Sequence, residues 1–154
     1  MKEGEIVQDF SLNDAEGKEV LLQDFRGKTV ILVFYPGDFT AVCTKQLCDY
    51  RDHLILPQDK FQVIGINANS EESHKKFQEA YRLPYLLLSD PEKKVCKQFG
   101  MTTFGVVSRG IVVIGPQGEV RKTLKMLPVF RPSTQKIMEL LVESGLWQEK
   151  KTRG

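Results

Sequence analysis

The chain has 154 residues, of which 41% are hydrophobic and 27% charged, so it is long enough to fold around a core, and we expect a single domain over residues 1–154. Its formal net charge of +2 gives no global field that would favour nucleic acid or an anionic membrane, and we expect neither as a partner. Since the sequence shows no signal-like apolar segment and no stretch long enough to span a bilayer, we expect a cytoplasmic protein. Residues 146–154, which include Lys150 and Lys151, are interpreted as a flexible C-terminal tail.

The first half of the chain predicts a hairpin followed by alternating strands and helices. The hairpin joins Phe10–Leu12 to Val20–Leu22 through a turn at Asp14–Gly17. The segments that follow are a strand over Thr29–Tyr35, a helix over Ala41–Leu56, a strand over Phe61–Ile66 and a helix over Ser70–Arg82. The strand Thr29–Tyr35 is largely apolar, which is typical of a central strand covered on both faces.

The second half continues the alternation and ends on a helix. Its predicted segments are a strand over Tyr85–Leu88, a helix that Asp90 caps and Gly100 ends, strand-like pieces at Val106-Val107 and Ile111–Ile114, a polar strand over Glu119–Lys125, and an amphipathic helix opened by Pro132 and Ser133. This order favours an α/β fold with a mixed sheet and helices on both of its faces.

Two of the three cysteines lie just after the predicted central strand, at the start of a helix. A thiol in the first turn of a helix faces unpaired backbone N–H groups and the positive end of the helix dipole, and both favour a thiolate. Because the thiolate is the reactive form of cysteine, Cys43 is a candidate redox nucleophile. The alternative is that Cys43 is a small buried hydrophobic side chain.

Cys48 follows Cys43 by five positions. In an unbroken helix this spacing separates the two Cα atoms by about 8 to 9 Å. A disulfide needs Cα atoms within about 7 Å, so the pair can bridge only if the helix opens. The alternative is that the two thiols are unrelated.

The remaining candidates for chemistry are isolated residues. A zinc site commonly needs four ligands at shorter spacings, so His53 and His74 are interpreted as surface or helix residues and not as metal ligands. Cys96 shares a predicted helix face with apolar neighbours and is interpreted as a packed core thiol. Arg109 lies between two strand segments, where a guanidinium must reach solvent, pair with another group or serve a site.

The residues around Cys43 resemble those of a known family. The stretch Pro36–Cys43 fits the Pro-x-x-x-Thr-x-x-Cys signature of the peroxiredoxins, and Cys43–Asp52 closely resembles the bacterioferritin-comigratory, or Q-type, subfamily. Leu87–Asp90 and Ser108-Arg109 support this resemblance, which covers nearly the whole chain. The chain lacks both a Gly-Gly-Leu-Gly loop and a cysteine near its C-terminus, so it does not resemble the typical two-cysteine subfamily.

The resemblance implies a thioredoxin-like fold, with a central mixed sheet flanked by helices and an N-terminal hairpin extension. It also implies a thiol peroxidase that reduces hydrogen peroxide and organic hydroperoxides without a metal or other cofactor. A thioredoxin-type dithiol is the implied reductant, and the protein is expected to be a monomer or a weak homodimer.

Five residues carry the implied mechanism. Cys43 is the peroxidatic nucleophile, and Cys48 resolves its sulfenic acid by forming an intramolecular disulfide. Arg109 favours the thiolate and stabilises charge that develops on the peroxide. The Thr40 hydroxyl is expected to bond to the sulfur or to the peroxide, and Pro36 is expected to shield the pocket from water.

One departure from the resemblance lies beside the nucleophile. Relatives usually read Thr-Pro-Gly-Cys, whereas this chain has Ala41 and Val42 in place of the proline and glycine. Proline would preset the first helical φ angle, and valine adds a stiff branched side chain. We therefore expect the peroxide preference or the rate of helix unwinding to differ from those of relatives.

Two other functions remain open from the sequence. A redox sensor would use the same cysteine switch, with a partner that binds the opened helix. A binding module would instead use the cysteines structurally or to hold a metal ion.

Overall fold

The computed structural model describes residues 1–126 and 131–148. The strands are β1 (Ser11–Asp14), β2 (Glu19–Leu21), β3 (Thr29–Phe34), β4 (Phe61–Asn67), β5 (Leu86–Ser89), β6 (Thr102–Thr103), β7 (Val106–Val107), β8 (Arg109–Ile114) and β9 (Val120–Met126). The helices are α1 (Ala41–His53), α2 (Glu71–Tyr81), α3 (Lys94–Gln98) and α4 (Thr134–Glu143), and a 3-10 turn spans Leu22–Phe25. None of these helices, over the described ranges, combines the length and the apolar character needed to cross a membrane.

Seven strands form one mixed sheet in the order β2-β1-β5-β4-β3-β8-β9. Strands β3, β4 and β5 are parallel neighbours, while β8 lies antiparallel to β3, and β1 lies antiparallel to β5. The predicted N-terminal hairpin is confirmed, since β1 and β2 pair antiparallel at one edge. The expected α/β architecture is therefore present, with β3 in the interior of the sheet between β4 and β8.

The strand β3 divides the core into two layers because successive side chains point to opposite faces. Val30, Leu32 and Phe34 belong to one apolar cluster. Ile31 and Val33 belong to the other cluster, which also includes Cys43 and the buried face of α1. All six residues of β3 are buried, as its unbroken apolar sequence predicts. The Cys43 side chain is therefore part of the core layer on one face of the sheet.

Two predicted helix bounds differ from the structure by three residues or more. The helix predicted to reach Leu56 ends at His53, because Leu54 has non-helical dihedral angles, although its N–H still bonds to the Tyr50 carbonyl. The helix predicted to be capped by Asp90 begins only at Lys94. Asp90 instead opens a turn, and its carboxylate accepts the N–H of Cys96 at 2.8 Å, in the middle of α3.

The predicted tail begins too early in the sequence. Leu146 and Trp147 pack against the core cluster that contains Cys43, and the Trp147 ring lies 5.7 Å from that of Phe61. These two apolar side chains bury surface that a solvated tail would leave exposed. The rest of the predicted tail, residues 149–154 with their lysines, lies outside the described residues.

Candidate active site

Cys43 lies in the first turn of α1, directly after the loop that leaves the C-terminal end of β3. This is the edge at which open α/β sheets place their binding sites. The Cys43 side chain is completely buried and belongs to a core cluster. It is a free thiol, as are Cys48 and Cys96. The position inside the first helical turn is therefore confirmed, and the sulfur is shielded from bulk water.

Arg109 reaches Cys43 from the neighbouring strand. It is the first residue of β8, and the antiparallel register with β3 places Gly110 opposite Phe34, so Arg109 lies level with the loop that precedes α1. Its side chain is 2% exposed, and Nη2 donates to the Cys43 Sγ at 3.2 Å. A guanidinium remains charged at all relevant pH values, so this contact favours the thiolate over the neutral thiol.

Gln46 completes this arrangement, and the sequence analysis did not single it out. Its Oε1 accepts a hydrogen bond from Nη1 of Arg109, while its Nε2 donates to the Tyr50 hydroxyl at 2.9 Å. Gln46 itself is fully buried. Residues 43, 46 and 50 are spaced by three and four positions, which puts them on one helix face. The sequence signal for Gln46 is therefore its position on the same helix face as Cys43 and Tyr50.

The Thr40 hydroxyl makes a different bond from the one predicted. Thr40 is the residue that precedes α1, but its side chain donates to the Gly37 carbonyl at 3.1 Å and does not bond to the sulfur. The short loop favours this bond, because the carbonyl three residues earlier faces the hydroxyl. The oxygen of Thr40 retains lone pairs that can accept a bond from a bound peroxide. Pro36 is half-buried in the same loop.

Cys48 lies on the same helix, and α1 is unbroken between the two cysteines. The predicted separation of about 8 to 9 Å for an intact helix therefore applies. The chain around Cys48 is fastened from outside the helix: the Tyr85 hydroxyl donates to the Leu47 carbonyl, and Asp49 accepts from the backbone and hydroxyl of Thr134 at 3.1 Å each. Opening of the helix must break some of these contacts or begin in the first turn.

The interpretation of His74 as a helix residue is confirmed, but the sequence did not predict its buried partner. His74 lies in α2, but it is fully buried and bonds to Asp38 in the loop before α1. Burial raises the pKa of the Asp38 carboxyl, but the hydrogen bond and charge of His74, with the hydroxyls of Tyr35 and Ser73, outweigh burial and hold the pKa below its ordinary value. The pairing is missed from sequence because it joins residues 36 positions apart.

The other sequence candidates take no part in this cluster. Cys96 is a fully buried core thiol, and burial together with the neighbouring Asp90 carboxylate raises its pKa well above the ordinary value. The His53 side chain is 69% exposed and lies 4.0 Å from Asp49. Within the part of the chain that the structure describes, no group of three or more His, Cys, Asp and Glu side chains has a metal-binding arrangement.

Known proteins match most of this chain. The model of the AhpC/TSA family matches residues 4–123. The chain belongs to the AhpC/TSA family. It is 35% identical over 136 residues to peroxiredoxin Bcp of Bacillus subtilis (strain 168), with 82% of this chain and 86% of that protein covered. The resemblance to the bacterioferritin-comigratory, or Q-type, peroxiredoxins is thereby confirmed for this AhpC/TSA family member.

Longer relatives and solved structures agree with this assignment. Chloroplastic peroxiredoxin Q of Suaeda salsa is 42% identical over 129 residues, which cover 79% of this chain but only 58% of the relative. This member of the AhpC/TSA family therefore spans less than two thirds of the length of such relatives. The crystal structure of peroxidoxin BcpB from Mycobacterium tuberculosis superposes with a TM-score of 0.81 at 29% identity, over 97% of this chain and 99% of that one. The expected thioredoxin-like peroxiredoxin fold is confirmed.

Proposed function

We propose that this chain is a thiol-dependent peroxidase that reduces hydrogen peroxide and organic hydroperoxides. The observation that carries the proposal is the contact between the Arg109 guanidinium and the buried Cys43 sulfur at 3.2 Å. An always-charged donor beside a thiol at a helix N-terminus favours a nucleophilic thiolate. The same positive charge can stabilise negative charge that develops on a peroxide oxygen beside the sulfur.

The first chemical step uses one electron pair of the sulfur. The Cys43 thiolate attacks one peroxide oxygen, the O–O bond breaks, and the other oxygen leaves as hydroxide or alkoxide, which takes up a proton to become water or an alcohol. Cys43 becomes a sulfenic acid. Arg109 stabilises the negative charge that develops on the leaving oxygen, and the Thr40 hydroxyl orients the peroxide for in-line attack.

The second step forms a disulfide between Cys43 and Cys48. The Cys48 thiolate attacks the sulfenic sulfur, the S–O bond breaks, and the oxygen leaves as water after protonation. A thioredoxin-type dithiol then reduces the disulfide by exchange. Since the cysteines are on one unbroken helix, this step requires opening of α1. We propose that the protein works in a reducing compartment such as the cytoplasm, as a monomer or a weak homodimer.

The same opening supports a redox sensor as the second candidate. Oxidation would release the first turns of α1 for a partner to bind, because the disulfide is incompatible with the intact helix. The two candidates differ in recycling: a peroxidase turns over rapidly with a dithiol donor, whereas a sensor is oxidised without efficient reduction.

Peptide mapping after one equivalent of hydrogen peroxide tests the proposal. Trypsin cuts after Lys45 and so separates Cys43 from Cys48, while cuts after Lys94 and Lys97 isolate Cys96. We expect the peptide 29–45 to be linked to the peptide 46–51, with Cys96 still accessible to alkylation after denaturation. If Cys43 remains an unoxidised, alkylated thiol, the peroxidase proposal is rejected, and the binding module becomes the better explanation.

The residue at position 42 should set the rate of disulfide formation. Val42 is 36% exposed in the first turn of α1, so its replacement changes helix stability with little effect on core packing. Glycine is about 1 kcal/mol less favourable in a helix than alanine. If opening precedes the second step, Val42→Gly should form the Cys43–Cys48 disulfide about fivefold faster than Val42→Ala.

This difference is measured by quenching the oxidised variants with a thiol-alkylating reagent at successive times. The rate of sulfenic acid formation serves as the internal control and should be equal in the two variants. Equal rates of disulfide formation would show that opening of the first turn does not limit the second step.

A further inference from the structure

A buried ion pair lies behind the loop that precedes the candidate nucleophile. His74 on α2 and Asp38 in the loop approach to 2.7 Å, and their side chains are 0% and 1% exposed. Asp38 occupies a variable position of the peroxiredoxin signature described above, and His74 lies outside that signature. A fully buried pair of this kind carries a large desolvation cost, and well-packed apolar residues are often at least as stabilising. Its presence next to the reactive loop therefore calls for a role besides stability.

The hydrogen bonds of His74 indicate that the pair is charged. Its Nε2 faces the Leu88 carbonyl at 3.0 Å, and a carbonyl oxygen can only accept, so Nε2 carries a proton. Its Nδ1 faces Asp38 Oδ2, which also accepts from the Ser73 hydroxyl at 2.8 Å. The other carboxylate oxygen accepts from the Tyr35 hydroxyl at 2.7 Å. A carboxylate surrounded by donors is ionised, so Nδ1 is protonated as well and the ring is an imidazolium.

The pair is connected to the reactive cysteine through the loop backbone. The Asp38 N–H donates to the Asn69 Oδ1 at 2.7 Å, which fixes the peptide beside the carboxylate. The preceding carbonyl, of Gly37, accepts the Thr40 hydroxyl at 3.1 Å. The Thr40 carbonyl then accepts the N–H of Thr44 in the first helical turn. His74 is thus linked to Asp38 by a hydrogen bond, and Asp38 to Gly37 by their peptide bond. The Gly37 carbonyl in turn holds the Thr40 hydroxyl.

We propose that Asp38 and His74 form a positioning pair that holds Thr40 and the loop in the geometry needed for attack on a peroxide. The inference rests on the proposed peroxidase function and deepens it. Arg109 on β8 donates to the sulfur, whereas Asp38 and His74 make no hydrogen bond to it. The pair therefore contributes to alignment of the peroxide and not to the general reactivity of the thiol.

Two reagents separate these contributions. The rate of alkylation of Cys43 by iodoacetamide reports the reactivity of the sulfur and needs no aligned peroxide. The rate of oxidation by hydrogen peroxide needs both the thiolate and the alignment. We expect Asp38→Asn and His74→Gln to slow peroxide oxidation about 10- to 100-fold, while alkylation stays within about threefold of the unsubstituted protein. The double variant, in which two neutral amides can bond to each other, should recover part of the peroxide rate.

Two further variants distinguish a specific effect on peroxide alignment from a general loss of folding. Tyr35→Phe removes only one oxygen that bonds to Asp38 and should give a smaller fall in the same direction. Asp90→Asn is the matched control, because Asp90 is also buried but its carboxylate bonds to the N–H of Cys96. This control should leave both rates unchanged.

Nitrogen-15 NMR of the histidine rings tests the charge directly. The chain has two histidines, and the exposed His53 provides an internal reference. The two acceptors that face the ring predict a proton on both nitrogens of His74, and an unprotonated ring nitrogen would show that the pair is not charged.

The outcomes distinguish this inference from the proposed function. If the unsubstituted protein does not react with peroxide, the proposed function fails. If it reacts but the folded Asp38 and His74 variants oxidise within about threefold of its rate, the positioning pair alone is refuted. A parallel fall in alkylation and oxidation also overturns it, since the pair would then act on the sulfur itself.

Discussion

Replacing Arg109 with glutamine should slow the reaction of Cys43 with hydrogen peroxide by about 100- to 1,000-fold, the usual cost of losing one preorganised donor to developing charge. The guanidinium donates to the Cys43 sulfur from a site that is 2% exposed, where its charge is poorly screened. Glutamine keeps a hydrogen-bond donor of similar reach but removes that charge. Iodoacetamide alkylation of Cys43 should also slow, in contrast to the Asp38 and His74 variants, because Arg109 acts on the sulfur itself.

Arg109→Lys separates charge from geometry in the same experiment. Lysine retains the positive charge but cannot bond to both Cys43 and Gln46 with a planar fork. We therefore expect a rate between those of the glutamine variant and the unsubstituted protein. The rates are measured by rapid quenching with an alkylating reagent followed by mass spectrometry of the intact protein.

Arg121→Gln is the matched control for these variants. Arg121 on β9 donates to the Ser144 carbonyl and pairs with Glu119, but its side chain is 37% exposed and takes no part in the cluster around Cys43. Its replacement should leave the peroxide rate unchanged. A glutamine variant of Arg109 that folds and reacts within about threefold of the unsubstituted protein would remove the guanidinium from the mechanism.

The sequence predicts the elements around the candidate site well because local patterns determine them. The largely apolar run Thr29–Phe34 is typical of a strand covered on both faces, and Pro36 favours a loop before α1. In the sequence, Arg109 stands out as a charge between two apolar strand segments, although only the register of β8 against β3 places it beside Cys43. Register of this kind depends on the whole sheet and has no local signature.

The parts that the sequence does not reveal depend on contacts between distant elements. His74 resembles any polar residue near the start of a helix, and only the packing of α2 against the loop makes it the partner of Asp38. Asp90 carries the pattern of a helix cap, yet its N–H bonds to the Asn67 carbonyl and its carboxylate serves a later turn. Trp147 looks like part of a tail until the Phe61 ring is placed beside it. In each case a tertiary contact decides the structure.

The contacts of α1 show which part of the helix can open. Beyond Cys48, Asp49 bonds to Thr134, the Tyr50 hydroxyl donates to the Pro132 carbonyl, and the Arg51 guanidinium donates to the Tyr81 carbonyl at 2.6 Å. The first turn has exposed side chains at positions 41 and 42, and the side chain before it makes no capping bond. The first turn is therefore the weaker end, so we expect Cys43 to move towards Cys48 when the disulfide forms.

Replacing Cys48 with serine should abolish the intramolecular disulfide and lower peroxidase turnover with a thioredoxin-type dithiol by about 100-fold or more, because the resolving thiol is lost from its high effective concentration. The first oxidation of Cys43 should keep its rate, since Cys48 is not among the groups that bond to its sulfur. Cys96 cannot replace Cys48, because it is fully buried and burial raises the pKa of its thiol. The sulfenic acid should therefore accumulate and proceed to the sulfinic acid at excess peroxide.

Mass spectrometry after one and after ten equivalents of peroxide measures these species, and a coupled assay measures turnover. Cys96→Ala is the control: it removes a buried thiol without touching α1 and should retain both the disulfide and most of the turnover. An intramolecular disulfide in Cys48→Ser would mean that Cys96 leaves the core and reaches Cys43. The opening would then extend well beyond the first turn of α1, and the contacts at Asp49 and Tyr50 would not confine it.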